Sequence, residues 1–245
     1  MATLYVVATP IGNLKDITLR ALEIFKEVDF VLCEDTRTTK KLLEHYQIEK
    51  PLISYHQHSC LKKIDFIINL LKQGKNLALV SEAGTPGISD PGGMLVNRVL
   101  GHLGNQVKIV PVPGPSAAIT ALSISGFPTD KFIFIGFPPH KKGRKKFFEE
   151  VLTAKYPVVF YESPYRIIKS LCDLHRLTQI GTPINADISV NPRSNQRKSA
   201  DREIVVCREL TKKFETIYRG TIEEVINQIK NDKILGEFVI VVNKH

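Results

Sequence analysis

Five short apolar runs, rich in β-branched residues, are spaced by helical patterns through the first half of this 245-residue chain. The runs cover residues 4–8, 30–33, 52–55, 77–80 and 107–112. The stretches 17–25, 36–45, 61–72, 93–103 and 116–123 carry apolar residues at helical spacing. Strands that are apolar on both faces must be covered on both faces, and alternation with helices supplies that cover. The expected class is therefore α/β with a mostly parallel amino-terminal sheet. Asp16 stands where it would cap the first helix.

The second half breaks this rhythm. Residues 131–137 alternate, 157–161, 204–207 and 238–242 read as strands, and 144–152, 166–177 and 222–230 read as helices. Longer spacings and the polar tract 191–202 predict a mixed carboxy-terminal sheet with hairpins, the tract itself being a basic, mobile loop. Two α/β domains, 1–114 and 115–245, meeting at a cleft are the expected organisation, with the boundary inside 114–126.

Hydrophobic residues at 43% and charged residues at 24% suit a soluble globular protein. The formal charge is +9, with basic clusters at Arg37–Lys41, His140–Lys146, Arg193–Arg202 and Arg208–Lys213. Such a balance fits a polyanionic partner, or a cationic surface kept for solubility. The four cysteines, Cys33, Cys60, Cys172 and Cys207, form no C-x-x-C pair, so neither a disulfide framework nor a zinc site is expected. No apolar run approaches the roughly 20 residues that span a bilayer, and the chain begins a strand at once with no basic leader. The expected location is cytoplasmic, with no membrane partner.

Two glycine- and proline-rich segments follow predicted strands: Ser81-Glu82-Ala83-Gly84-Thr85-Pro86-Gly87-Ile88-Ser89-Asp90-Pro91-Gly92-Gly93 and Pro111-Val112-Pro113-Gly114-Pro115-Ser116. At a strand's carboxyl end such loops let backbone approach a ligand closely, and two in tandem predict one ligand gripped from neighbouring strands. The first loop, Thr9-Pro10-Ile11-Gly12-Asn13-Leu14, contains no G-x-G-x-x-G and no Walker lysine, which excludes phosphate-cradling chemistry there. Glu34-Asp35-Thr36-Arg37 offers paired carboxylates and a cation for acid–base work, or simply a helix N-cap. His56 and His58 would face one side of an extended chain, but no third ligand follows, so no metal is expected. Glu162-Ser163-Pro164-Tyr165-Arg166 contains no G-x-S-x-G elbow. Ser116 follows Gly114-Pro115 at a helix start, where it either caps the helix or bonds a ligand.

These segments resemble the tetrapyrrole methylase superfamily. Within it, the likeness is to the bacterial ribosomal RNA 2′-O-ribose methyltransferases that modify a small-subunit cytidine. It is carried by Tyr5-Val6-Val7-Ala8-Thr9-Pro10-Ile11-Gly12-Asn13-Leu14, Glu34-Asp35-Thr36-Arg37, the loops after residues 80 and 112, Phe134-Ile135-Gly136-Phe137-Pro138-Pro139, Glu162-Ser163-Pro164-Tyr165-Arg166 and Arg208-Glu209-Leu210-Thr211-Lys212. The resemblance implies a two-domain fold with S-adenosylmethionine in the cleft, and a homodimer acting on ribosomal RNA of the small subunit. It further implies cofactor contacts at Pro10, Ile11, Gly12, Gly84, Thr85, Pro86, Ile88, Ser116, Ala117, Tyr161, Glu162, Leu210 and Glu237. This chain departs from the family's pattern at Ser59-Cys60 after His58, at Tyr165 where histidine is common, and in the inserted tract 178–202. It also ends at His245 without the further helical segment of some relatives. These departures fall on the expected RNA side.

Methyl transfer from a sulfonium is an in-line displacement that needs alignment and, for a ribose hydroxyl, a base. The candidates are Asp35, Glu34 and Glu82, with Arg37 orienting a phosphate or the base. Lys141, Lys142, Arg144, Lys145 and Lys146 are expected to meet RNA phosphates. Two other readings use the same residues: a methyltransferase acting on a corrin or porphyrin, and a ribosome-associated binding module without turnover.

Overall fold

Successive side chains of a strand point to opposite faces, and the first half of the chain uses both. In the computed structural model, which describes residues 1–56, 61–90, 92–180 and 202–244, the chain divides into two units, Met1–Ala117 and Ala118–His245. The first unit holds β1 (Ala2–Val7), α1 (Leu19–Glu27), β2 (Phe30–Cys33), α2 (Thr36–His45), β3 (Leu52–Ser54), α3 (Leu61–Lys72), β4 (Leu77–Leu79), α4 (Gly92–Leu103) and β5 (Val107–Val112). Its sheet runs β3-β2-β4-β1-β5, and every pairing is parallel. Leu4, Leu32, Leu77 and Leu79 turn to one face against Ile67, Ile68 and Leu71 of α3 and Leu95 and Val99 of α4. Val7, Val31, Ala78 and Val80 turn to the other, against Ala21, Ile24 and Phe25 of α1 and Leu43 of α2. Each such burial contributes about 1.5–3 kcal/mol, and the two layers explain why these strands read as continuous apolar runs.

The cap of α1 differs from expectation. Thr18, not Asp16, caps the helix, its Oγ1 accepting from the Ala21 amide at 3.1 Å. Asp16 belongs to a preceding 3₁₀ turn, and Ile17 is extended at ψ 141°, so the helix starts later than the sequence pattern suggested.

The second unit opens within α5 (Ala117–Ser123), at Ala118. It contains β6 (Ile133–Phe134), α6 (Arg144–Thr153), β7 (Val158–Glu162), α7 (Ile167–Ile180), β8 (Glu203–Arg208), β9 (Thr216–Thr221), α8 (Ile222–Lys230) and β10 (Phe238–Val242). The order is β6-β7-β10-β8-β9, with β6 and β7 parallel and the other neighbours antiparallel. This is the mixed sheet the second half predicted. One face, with Val158, Phe160, Ile204, Val206, Ile240 and Val242, packs against α6, α7 and α8. Strand β9 was not legible: only Tyr218 of its six residues is buried, so no apolar alternation marks it. Strand β6 is shorter than 131–137 because Lys131 and Phe132 lie exposed outside the sheet. Most of the basic tract 191–202 lies outside the described residues. Among the described residues, no helix is long and apolar enough to cross a membrane.

Candidate active site

In a parallel sheet all carboxyl ends open on one edge, and a crevice forms where neighbouring strands send their helices to opposite faces. Strands β1 and β4 are such neighbours, since α1 and α4 belong to different layers. The loops that follow them are stitched together by backbone. Thr9 donates to the Gly84 carbonyl at 2.9 Å, and Gly84 donates back to Thr9 at 3.1 Å. The loop after β5 joins through the Thr85 hydroxyl, which donates to the Pro115 carbonyl at 3.2 Å. Three strand ends thus share one rim.

Gly84 stands at φ +79°, where glycine alone is unstrained. A Cβ there would touch Ile11 Cγ2 at 3.4 Å and the Pro115 oxygen at 3.6 Å. Pro10, Ile11 and Pro86 are buried beside it, and Gly12 and Ile88 are exposed. Asp90 shapes the rest of the loop: its Oδ1 accepts from the amides of both Gly87 and Gly92, the latter at 2.9 Å. Ser89 takes the left-handed φ of +62°, a strained conformation of the kind that clusters at functional sites. A Cβ at Gly92 would lie 2.8 Å from the Gly87 nitrogen, so α4 must begin with glycine. Asp90 was not among the expected site residues, although Asp before Pro-Gly is a turn signal.

Thr9 was also missed as a side chain. It is 2% exposed, and its hydroxyl has no hydrogen-bond partner among the described residues. A buried polar atom left unsatisfied costs about 1–3 kcal/mol. A donor–acceptor hydroxyl in a rim of backbone groups, without a phosphate nest, suits a ligand with a ribose, an adenine and a zwitterion. The residues fit S-adenosylmethionine.

The carboxyl end of β2 supplies the acidic groups. Asp35 caps α2: Oδ1 accepts from the Arg37 amide at 2.8 Å, and Oδ2 pairs with Arg37 Nη2 at 3.0 Å. The Arg37 guanidinium holds the Asp35 carboxyl below the usual range. Glu34 is different. Burial, and then the carboxylates of Asp90 and Glu82, push its carboxyl above the ordinary range, while His56 at the end of β3 pulls the other way. Of the four expected catalytic residues, Glu82 raises Glu34 through its charge, whereas Asp35 and Arg37 occupy each other. His56 Nε2 lies 2.9 Å from Ser54 Oγ.

In the second unit, Tyr161 packs its ring against Phe134 and Phe137 at 5.0 and 5.4 Å. Burial raises its phenol, and a bond with the Ala118 backbone partly offsets this. The Glu162 side chain is fully committed: it pairs with Arg166 Nη2 at 2.8 Å, and it accepts from Ser170 Oγ and the Ser163 amide. Only its backbone remains for a ligand. Leu210 is buried between Glu209 and Thr211, two non-glycine residues at φ +51° and +66°. Lys212 Nζ ties this strained turn to Glu209 and Glu237, each at 2.9 Å. Arg144 corrects an expectation. It is 7% exposed, with Nε on Asp173 at 2.7 Å and Nη2 on Ser170 at 2.8 Å, so it anchors the interior and does not face phosphates.

Among the described residues, no group of three or more His, Cys, Asp or Glu could hold a metal ion. His58 and Cys60 lie outside the described residues.

Residues 3–226 match the family model described as Tetrapyrrole (Corrin/Porphyrin) Methylases. The chain belongs to the tetrapyrrole methylase family. A family member from Thermotoga maritima, ribosomal RNA small subunit methyltransferase I, is 42% identical over 243 residues, covering 99% of both chains. The protein of the same name from Bacillus subtilis is 44% identical over 243 residues, covering 99% of this chain and 75% of that one. Solved structures share the tetrapyrrole methylase fold at lower identity. Cobalt precorrin-4 methyltransferase superposes with a TM-score of 0.66 at 16% identity, covering 98% of this chain and 94% of that one. Uroporphyrin-III-C-methyltransferase from Thermus thermophilus gives 0.62 at 16%, with 98% and 94% covered.

Proposed function

We propose that this chain transfers a methyl group from S-adenosylmethionine to the 2′-hydroxyl of a cytidine ribose in small-subunit ribosomal RNA. The observation that carries the reading is the rim of loops joined through Thr9, Gly84 and Pro115. Beside it stands a carboxylate, Glu34, held above its ordinary range. The names of relatives at 42–44% identity support small-subunit ribosomal RNA as the acceptor, and the cytidine 2′-hydroxyl is what the family resemblance implies. We further propose a homodimer, which the family resemblance implies, and a cytoplasmic location.

Bound S-adenosylmethionine supplies a methyl group on a sulfonium, a leaving group that needs no metal. Pro10, Ile11, Gly12, Gly84, Thr85, Pro86, Ile88, Ser116 and Ala117 would hold it in the first unit, where the Thr9 hydroxyl, without a partner among the described residues, would gain one. In the second unit, Tyr161, Leu210 and the backbone at Glu162 and Glu237 are the contacts that the family resemblance implies.

Glu34 takes the proton from the ribose hydroxyl. A positioned base is worth about 10²–10⁴-fold, and a pKa nearer neutrality than that of Asp35 makes Glu34 the better acceptor. Glu82 tunes it by charge. Asp35 and Arg37 start α2 and thereby set where Glu34 points.

Tritium transfer from labelled S-adenosylmethionine to isolated small subunits tests the reading, followed by digestion and identification of 2′-O-methylcytidine. Labelling of a precorrin instead would assign a small-molecule acceptor, and binding without transfer would leave a module without turnover.

A further inference from the structure

The second unit carries a surface that the methyl-transfer site does not use. Strands β6 and β7 are parallel neighbours, so the loops after them, 135–143 and 163–166, emerge side by side. Two arginines lock these loops together from beneath. Arg166 Nη1 donates to the Pro138 carbonyl at 3.0 Å, and Arg144 Nη1 donates to that of Pro139 at 3.4 Å. Both guanidiniums also engage the interior carboxylates, Arg166 with Glu162 at 2.8 Å and Arg144 with Asp173 at 2.7 Å. Glu162 and Asp173 are thereby consumed inside, while Glu149 and Glu150 of α6 stay exposed.

What remains outside is cationic and aromatic. Lys141, Lys142, Lys145 and Lys146 are exposed, and the first turn of α6 holds no acidic residue and no side-chain cap. One exposed pair, Lys145 with Glu149 at 3.5 Å, offsets a single charge weakly. Tyr165 is 96% exposed on the adjoining loop, and Phe137 is 51% exposed. The Tyr165 ring stands in water on a loop pinned by ion pairs, outside the hydrophobic core of this unit. Lysines beside it complement phosphates, and an exposed ring offers a platform to a base that is not paired.

We infer that this edge of the second unit docks single-stranded RNA, with Tyr165 stacking on an unpaired base and Lys141, Lys142 and Lys146 contacting phosphates. The inference rests on the RNA acceptor assigned above. It specifies what that acceptor must present: an unpaired segment, because bases in a duplex have no free face for Tyr165.

Fluorescence anisotropy with a labelled, unstructured oligoribonucleotide of about 12 nucleotides, and with the same strand in a duplex, tests it on the full chain. The native protein is expected to prefer the single strand. Tyr165→Ala should weaken that binding between about 5-fold and 150-fold, and Tyr165→Phe, which keeps the ring, should stay within about twofold. Replacing Lys141, Lys142 and Lys146 by glutamine should flatten the dependence of log K on log salt by about 2, at roughly 0.7 per lost phosphate contact. Circular dichroism confirms folding, which an exposed side chain should not affect. Native affinity in Tyr165→Ala, or a native preference for duplex, overturns the inference. So does conversion of a dimer to a monomer by Tyr165→Ala in sedimentation, which would make the patch a contact between copies. Tritium transfer to small subunits run in parallel separates the two readings. No transfer by the native protein refutes the acceptor, whereas transfer with unchanged binding by Tyr165→Ala refutes this surface alone.

Discussion

Replacing Gly84 by valine separates backbone strain from cofactor binding, because the chain contains a natural control. Gly84 stands at φ +79° and Gly74 at φ +84°, so a side chain at either position bears nearly the same left-handed strain. That strain is about 1–2 kcal/mol. For a chain of this size it corresponds to a fall in Tm of about 2–8 °C in both variants. Their surroundings differ. A Cβ at Gly74 meets nothing within 4 Å, whereas at Gly84 it touches Ile11 at 3.4 Å and Pro115 at 3.6 Å. The two γ-carbons of valine must then push the loops apart. The reciprocal Thr9–Gly84 hydrogen bonds of 2.9 and 3.1 Å are at stake. At about 0.5–1.5 kcal/mol each, their loss disfavours the joined arrangement by about 1–3 kcal/mol, and a ligand that binds only the joined loops loses about 5- to 150-fold in affinity. Calorimetric titration with S-adenosylmethionine should therefore show weakened binding in Gly84→Val and native binding in Gly74→Val. Equal affinities in the two variants would refute the placement of the ligand at this rim.

Glu34→Gln should lower single-turnover methylation about 10²–10⁴-fold with little change in cofactor affinity. Asp35→Asn, which preserves the cap, should methylate near the native rate; a hundredfold loss would return the base to Asp35. Because the base acts deprotonated, the native rate should rise with pH through a midpoint above the ordinary glutamate value of about 4.3. Glu82→Gln removes one repelling carboxylate and should move that midpoint to lower pH; an unmoved midpoint would detach Glu34 from the rate. Arg144→Ala removes the partner of Asp173 and Ser170, while Glu162 keeps Arg166, and should cost about 1.5–3 kcal/mol in urea denaturation. A loss under about 1 kcal/mol would restore Arg144 to the surface.

The class of fold, the parallel first sheet and the two glycine-rich loops were legible because their signals are local. Apolar runs such as Leu77–Leu79 report burial on both faces, and Gly84 and Gly92 report backbone positions that other residues cannot occupy. Strand β9 was illegible because it pairs at an edge with one buried residue, and Asp16 lost the α1 cap to Thr18 through a turn that no period reveals. The family likeness pointed to the same loops as the glycine pattern, but it could not rank the acids. Adjacent in sequence, Glu34 and Asp35 read as equivalent. The tertiary structure parts them, turning Asp35 to its own helix and to Arg37 while Glu34 meets Glu82 and Asp90 from another strand. Sequence alone likewise grouped Arg144 with its lysine neighbours as one basic run. Whether a cation faces water or a buried carboxylate depends on what α7 brings beside it, here Ser170 and Asp173. Local propensity determined which segments fold and where glycine is required. The charge state and exposure of each polar group depend on neighbours far along the chain, and only the packed structure decides them.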